Sequence, residues 1–466
     1  MRFIAIDLGT SFIKGALLDP ETCEISHVQR IPFPDPIPGL DAQRCEFDPA
    51  DVLAKVGDLI FDLGNTARRC EGIVMCTQMA SMVLIDRHHT ALTNCIGWRD
   101  KRAMMSHPSG AGTYHEVLKQ RLTASQRREL GNELPVGCPA SFLFWFAEHR
   151  LLEAGSIPVS LADFVLCKLC NSAATVEATN AMAYGLLDVQ RRQWHDEVIE
   201  QLGLGIIRWP SIVEYEVPIG HIRIGGRDVP CYSPIGDYQC ALAGAMLGEK
   251  ELSLNISTGS QVSRITSNFT PGNYQSRPFF DGKYTNTLSH LPAGRALNVL
   301  VDLLTEIERG TGNIVADPWP YITEAVDATE CTDIGAELSF FSGPCGERGS
   351  ITNISETNLS VGALFQAAFK NMAENYYTCA HRIWPERTWH RIVFSGGVSQ
   401  KLPTLRKVIL DRFKSDFRLC AVSEDTLLGL LIVARVCGGV NGSVLQATHE
   451  VRSQCGYDRI GENPER

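Results

Sequence analysis

A chain of 466 residues, 44% hydrophobic and 21% charged, has the composition of a folded globular protein and exceeds what one hydrophobic core usually spans, so two domains are expected. Its net charge of -10 excludes a general affinity for nucleic acid or an anionic membrane, and no local basic stripe reverses that. No apolar run approaches the roughly 20 residues needed to cross a bilayer, and the opening MRFIAIDLGT carries an acid instead of a long apolar core, so a cytoplasmic protein without membrane partners is expected.

The first predicted elements are a buried strand, Phe3 to Ile6, and a second strand, Phe12 to Leu18, joined through Asp7-Leu8-Gly9-Thr10-Ser11. Strand, acid, glycine turn and strand make a hairpin whose tip can admit a phosphate. Gly9 allows close backbone approach, Thr10 and Ser11 offer hydroxyls, and Lys14 offers a positive charge. Asp7, at the strand end, is placed to hold a hydrated magnesium ion, which takes oxygen ligands and keeps several waters. An ordinary hairpin with an exposed acid is the competing reading of this stretch alone. It is neither a Walker A loop nor a dinucleotide fingerprint, since no helix opens after it.

A proline-rich loop from Arg30 to Pro49 precedes a helix from Asp51, with Asp48 as its N-cap. The strand Gly72 to Met75 feeds Cys76-Thr77-Gln78-Met79-Ala80-Ser81, and Met82 to Ile85 is a further strand. A polar Gln78 between two buried strands reads as a pocket lining, or as a turn amide bonded to its own backbone. In Ile96 to Arg102, Trp98 stands beside Asp100. A ring that packs on C–H faces and an acid that accepts hydroxyl hydrogens suit a polyhydroxylated ligand, although a surface salt-bridge cluster has the same composition. The stretch from Tyr114 to Gly203 is helical in pattern. Its CxxC, Cys167 to Cys170, lies inside the helix-like LADFVLCKLC with no second pair, so no metal site is read there. The sixteen cysteines are dispersed in apolar runs, the pattern of reduced buried thiols.

The domain boundary is expected near Cys231 to Pro234, giving domains of 1–232 and 233–466. Asp237 follows Pro234 and Gly236 in a turn at that boundary, ahead of a helix from Tyr238 to Leu247. The strand Leu252 to Ile256 breaks at Ser257-Thr258-Gly259-Ser260, a second small-residue bend with free N–H groups and hydroxyls suited to phosphate. Asp237 is read as the group that takes a proton from a substrate hydroxyl, while Thr258 to Ser260 hold part of a nucleotide. Further on, the sequence predicts a helix over Leu359 to His381. A strand over Arg391 to Phe394 ends at Ser395-Gly396-Gly397-Val398-Ser399-Gln400, then come helices over Pro403 to Phe413 and Asp425 to Cys437. Paired glycines between strand and helix let a flat ring approach the backbone, a seat for adenine and ribose that includes Gln400. A close strand-helix packing turn is the competing reading.

Two phosphate bends, one in each expected half, resemble the two-domain actin-like (ribonuclease H-like) α/β ATPase fold, in which ATP lies in the interdomain cleft. Asp7 to Ser11 with Lys14, Gln78-Met79, Trp98 with Asp100 and Arg102, Gly236-Asp237, Thr258-Gly259-Ser260 and Gly396-Gly397 together resemble the FGGY family of carbohydrate kinases over nearly the whole chain. Within it, GDYQC, LNIST and GERGSITNIS are most similar to sedoheptulokinases. The resemblance implies ATP-dependent phosphorylation of a sugar's primary hydroxyl. It makes Asp237 the general base, places Asp7 and Asp237 near magnesium, and sets Gln78, Met79, Trp98, Asp100 and Asp237 along the sugar, in a monomer or homodimer. Ketose kinases of the family commonly carry a histidine after the Gln-Met pair, and here Ala80 stands there. The acceptor is therefore open among sedoheptulose, xylulose, ribulose and other ketoses or polyols. A non-catalytic nucleotide- or sugar-binding sensor is the reading from another class.

Overall fold

The computed structural model describes residues 1–67, 69–312, 316–420, 422 and 424–456. Its chain gathers into two compact units, the first formed by Met1–Met246, Ser267–Tyr284 and 424–456, the second by Leu247–Thr266 and 285–422.

In the first unit, β1 (Phe3–Leu8), β2 (Phe12–Asp19), β3 (Glu24–Pro32), β4 (Gly72–Thr77), β5 (Pro218–Ile224) and β6 (Arg227–Tyr232) form a sheet in the order β5-β6-β4-β1-β2-β3. A short strand, β7 (Ile235–Gly236), also pairs with β4. β1 and β2 are the expected hairpin, antiparallel with Asp7 opposite Lys14, and β1 runs parallel to β4. Every residue of β1 and β4 is buried, as strands covered on both faces require. Helix α1 (Pro49–Ala67) covers one face through Val52, Val56, Leu59, Ile60 and Leu63, residues at helical spacing. Its start is held as the sequence predicts, with the Ala50 N–H donating to Asp48 at 2.8 Å. Helix α2 (Asp237–Gly244) follows β7 directly.

The second unit repeats this plan. β8 (Glu251–Ile256) and β9 (Ser260–Thr266) form an antiparallel hairpin, and β10 (Tyr284–Leu291) leads into helix α3 (Gly294–Gly310). After helix α4 (Val361–Ile383) come β11 (Arg391–Ser395), helix α5 (Gly397–Lys401), helix α6 (Pro403–Phe413) and β12 (Asp416–Leu419), giving the order β10-β9-β8-β11-β12. β8 runs parallel to β11 as β1 does to β4. Glu251 at the start of β8 is ion-paired with Arg391 at 3.1 Å and Arg418 at 2.8 Å, which ties three neighbouring strands together.

The chain then returns to the first unit as helix α7 (Asp425–Cys437), in which Leu427 to Arg435 are all buried. The expected boundary at Cys231 to Pro234 falls inside the first unit because α2, just beyond it, is locked against α7. A Cβ on Gly244 would lie 1.7 Å from the Asp425 carbonyl oxygen, and one on Gly429 would lie 2.0 Å from that of Cys240. Glycine at both positions lets the two helix backbones touch. Among the described residues, no helix is long and apolar enough to cross a membrane.

Candidate active site

Strand register brings two of the predicted acids together. Asp7 and Ile235 both pair with Cys76 of β4, from opposite sides, and Gly236 pairs with Thr77, so Asp237 emerges at the same sheet edge as Asp7. Asp7 is buried. It accepts from Lys14 Nζ at 3.2 Å and from the Thr426 hydroxyl at 2.7 Å, both on Oδ2. Lys14 is shared with Glu424 at 3.0 Å.

Asp237 is partly buried and opens α2. Burial, and then the charge of Asp7, push its carboxyl up to about 7, against the Tyr238 N–H and Arg277. Asp425, the first residue of α7, is pushed up to about 6, mainly by burial and against Lys14, with Asp7 adding to the rise. Three carboxyl groups thus share these surroundings, and two of them are raised well above the ordinary carboxylate range. Hard oxygen donors with excess negative charge are the donor set that magnesium takes.

Gln78 and Trp98 are tied to the hairpin tip. The Thr10 hydroxyl donates to Gln78 Oε1 at 3.1 Å and accepts from the Trp98 indole N–H at 3.1 Å. The Gln78 N–H donates to the Leu8 carbonyl at 2.8 Å. Met79 reaches the turn before Asp237, where its Cε lies 3.1 Å from a Cβ placed on Gly236. Trp98 is 43% exposed.

Asp100 is placed differently from the expectation. Its carboxylate is buried and fully occupied, by Arg102 Nε at 2.8 Å and Nη2 at 2.9 Å, the Arg102 N–H at 2.9 Å and the Cys45 N–H at 2.8 Å. Arg102 also binds Glu46 at 2.6 Å. In this structure Asp100 holds the loop that presents Trp98, and no oxygen of it is left to accept from a ligand.

The second unit assembles the other predicted bends. β8 ends at Ser257-Thr258-Gly259, and the neighbouring parallel strand β11 ends at Gly396-Gly397, with Asn255 opposite Ser395, so both bends lie at one sheet edge. The Gly294 and Arg295 N–H groups donate to the Ser257 and Thr258 carbonyls at 3.0 and 2.8 Å, which seats the start of α3 against the first bend. Gly396 has φ +85, and a Cβ there would lie 2.5 Å from the Ile256 carbonyl oxygen; Gly259 and Gly397 have nothing within 4 Å of the same position. Ser260, expected to face the phosphate, is buried, and the exposed hydroxyls of the bend are Ser257 and Thr258. Gln400 lies half-buried in α5, its N–H bonded to the Gly396 carbonyl at 3.2 Å.

Sequence reasoning missed four residues around the acids: Thr426, Glu424, Arg277 and Thr179. Arg277 is ion-paired with Glu133, lies 4.5 Å over the Tyr238 ring and acts electrostatically on Asp237. The Thr179 hydroxyl accepts from the Gly236 N–H at 3.0 Å and donates to Glu177, fixing the turn that carries Asp237. None stands in a local motif. Only the folded chain brings them to the site.

Comparison with known proteins gives the family and the fold. The sequence model described as "FGGY family of carbohydrate kinases, N-terminal domain" matches residues 2–244. The chain is 26% identical over 255 residues to a glycerol kinase of Marinomonas sp. (strain MWYL1), covering 52% of this chain and 50% of that protein. It is 23% identical over 300 residues to a sedoheptulokinase of Homo sapiens, covering 59% and 62%. In these alignments the chain spans about half the length of the curated relatives it matches. Its fold is that of a xylulose kinase from Lactobacillus acidophilus, with a TM-score of 0.83 over 96% of this chain and 91% of that one at 18% identity.

Proposed function

The chain belongs to the FGGY family of carbohydrate kinases, and we propose that it transfers the γ-phosphoryl group of ATP to a primary hydroxyl of a ketose, with sedoheptulose as the first acceptor to test. The observation that carries this reading is the pairing of Asp7 and Asp237 at one sheet edge, with the Asp237 carboxyl pushed up to about 7. A carboxyl poised there accepts a proton from an alcohol at neutral pH and releases it again without a large penalty. Phosphoryl transfer needs little covalent help, so the remaining work is alignment and charge neutralisation.

In this reading Asp237 receives the hydroxyl proton, and the Thr179 hydroxyl holds the turn that aims it. Gln78, Met79 and Trp98 border the sugar. Gly9, Thr10, Ser11 and Lys14 take phosphate oxygens, as do Thr258 and Gly259, while Gly396, Gly397 and Gln400 seat adenine and ribose. Asp7 and Asp237 would hold magnesium, which when bound neutralises charge on the phosphates. Sedoheptulose is favoured by GDYQC, LNIST and GERGSITNIS and by the human sedoheptulokinase relative. Xylulose, ribulose and glycerol are the alternatives, because Ala80 stands where ketose kinases of the family commonly carry a histidine and the relatives include glycerol and xylulose kinases.

The test is ADP release across sedoheptulose, xylulose, ribulose and glycerol, with Asp237→Ala as control. The expected result is turnover on a ketose that the variant loses while it still binds ATP. Unchanged turnover in Asp237→Ala would refute the assigned base. Nucleotide binding without turnover on any acceptor would favour a non-catalytic sensor.

A further inference from the structure

Resting on the sugar-kinase reading, we infer that Gln78 withholds the Thr10 hydroxyl from the nucleotide until an acceptor hydroxyl replaces it, so that acceptor and nucleotide bind with positive coupling. A threonine hydroxyl has one hydrogen and two lone pairs. In the structure that hydrogen goes to Gln78 Oε1 at 3.1 Å. The Trp98 indole N–H, which can only donate, occupies a lone pair at 3.1 Å. Thr10 therefore sits at the phosphate hairpin with no hydrogen to offer a phosphate oxygen.

Releasing that hydrogen has a consequence for Gln78. Gln78 is 3% exposed and its backbone is fixed by the N–H bond to Leu8 at 2.8 Å, so its oxygen stays in place when Thr10 leaves and needs a donor delivered to that spot. A buried carbonyl oxygen stripped of its donor is strongly disfavoured. A polyhydroxylated acceptor lying against Trp98 and Gln78 supplies a replacement donor, and Thr10 is then free for the nucleotide. At the same tip Lys14 is already held by Asp7 at 3.2 Å and Glu424 at 3.0 Å and the Ser11 hydroxyl is exposed, so Thr10 is the tip hydroxyl that Gln78 holds back. Nucleotide bound without acceptor is thereby kept from its full set of contacts, which limits wasteful hydrolysis.

The experiment titrates the magnesium complex of the β,γ-imido analogue of ATP into the full chain by calorimetry, with and without a sugar that the ADP-release assay shows to be phosphorylated. In the wild type the sugar is expected to tighten the analogue on the order of tenfold. Gln78→Met should bind the analogue without sugar as tightly as the wild type does with it. Thr10→Val should bind weakly in both conditions, and Thr10→Ser should restore the coupling. Unfolding midpoints confirm that each variant is folded, and a merely structural role for Gln78 would not tighten binding. The inference is overturned if Gln78→Met binds no tighter than sugar-free wild type, or if Thr10→Val keeps the coupling. A wild type that phosphorylates a sugar without coupling overturns this inference alone. A wild type that binds no analogue and phosphorylates nothing overturns the kinase reading with it.

Discussion

Thr426 donates its hydroxyl hydrogen to Asp7 across 2.7 Å, joining residues 419 positions apart in the chain. The bond closes a ring of contacts around one carboxylate. Lys14 reaches Asp7 from β2, Thr426 reaches it from α7, and Glu424, just ahead of α7, holds Lys14 from its other side. Arg30 also meets Glu424. The first strand and α7, near opposite ends of the chain's order in the first unit, are thus joined at the candidate magnesium ligand.

Thr426→Val keeps the shape of the side chain and removes the donor. A hydrogen bond to a charged group contributes about 1.5–3 kcal/mol, and here it orients a group that the proposed reaction uses. Turnover is expected to fall about tenfold or more, and Thr426→Ser should restore most of it. ADP release at saturating ATP checks this. Wild-type turnover in the valine variant would remove Asp7 orientation from the account.

The glycines of the second unit should separate binding from folding. Nothing lies within 4 Å of a Cβ placed on Gly259, so Gly259→Val is expected to fold normally and to weaken ATP binding by crowding the bend. Gly396→Ala is the opposite case. Its φ of +85 and the Ile256 carbonyl oxygen at 2.5 Å make any side chain strained there, with an expected loss of stability of at least about 1–2 kcal/mol. Calorimetric ATP affinity and urea midpoints on both variants test the pair. Unchanged affinity in Gly259→Val counts against a phosphate site at that bend.

Elements with strong local signals were legible in the sequence. The helices Pro403–Phe413 and Asp425–Cys437 and the hairpin at Asp7 follow their predicted limits closely, because proline, turn residues and apolar period mark them. The interleaving of the units was not legible, since it depends on α7 returning to pack against α2. The role of Asp100 was misread for a related reason. Beside Trp98 it looks like a ligand contact, but its partners include Cys45, 55 residues earlier, and through Arg102 it is tied to Glu46. Ser260 was misplaced because one residue along a strand reverses the face, and it falls on the buried one.

Asp163 supplies a pH signature separate from catalysis. Burial pushes its carboxyl up to about 8, against hydrogen bonds from Ser160 at 2.6 Å and Asn180 at 3.1 Å. A carboxyl raised above its ordinary value of 3.8 is protonated in the folded chain, so its contribution to stability is full below that value and is lost as pH rises through about 8. Asp163→Asn keeps the neutral shape without that loss. Urea unfolding at about pH 5 and about pH 9 should show the variant gaining on the wild type as pH rises. Glu177, pushed up to about 7 mainly by burial, is common to both proteins and cancels to first order in the difference. A pH-independent difference would mean that Asp163 is ionised in the folded chain.

Gly429→Ala tests the crossing that positions two of the three acids. α2 begins with Asp237 and α7 with Asp425, and the helices touch where a Cβ on Gly429 would lie 2.0 Å from the Cys240 carbonyl oxygen and 2.8 Å from its sulfur. No rotamer relieves a clash with backbone, so the helices must separate. Overpacking of this kind typically costs about 1–3 kcal/mol. Because Asp237 moves with α2, turnover should fall further than the lost stability explains, even at temperatures where the variant is fully folded. Unfolding midpoints together with ADP release at low temperature check both parts. A variant that is destabilised but catalytically normal when folded would show that the crossing holds the fold together without aiming Asp237.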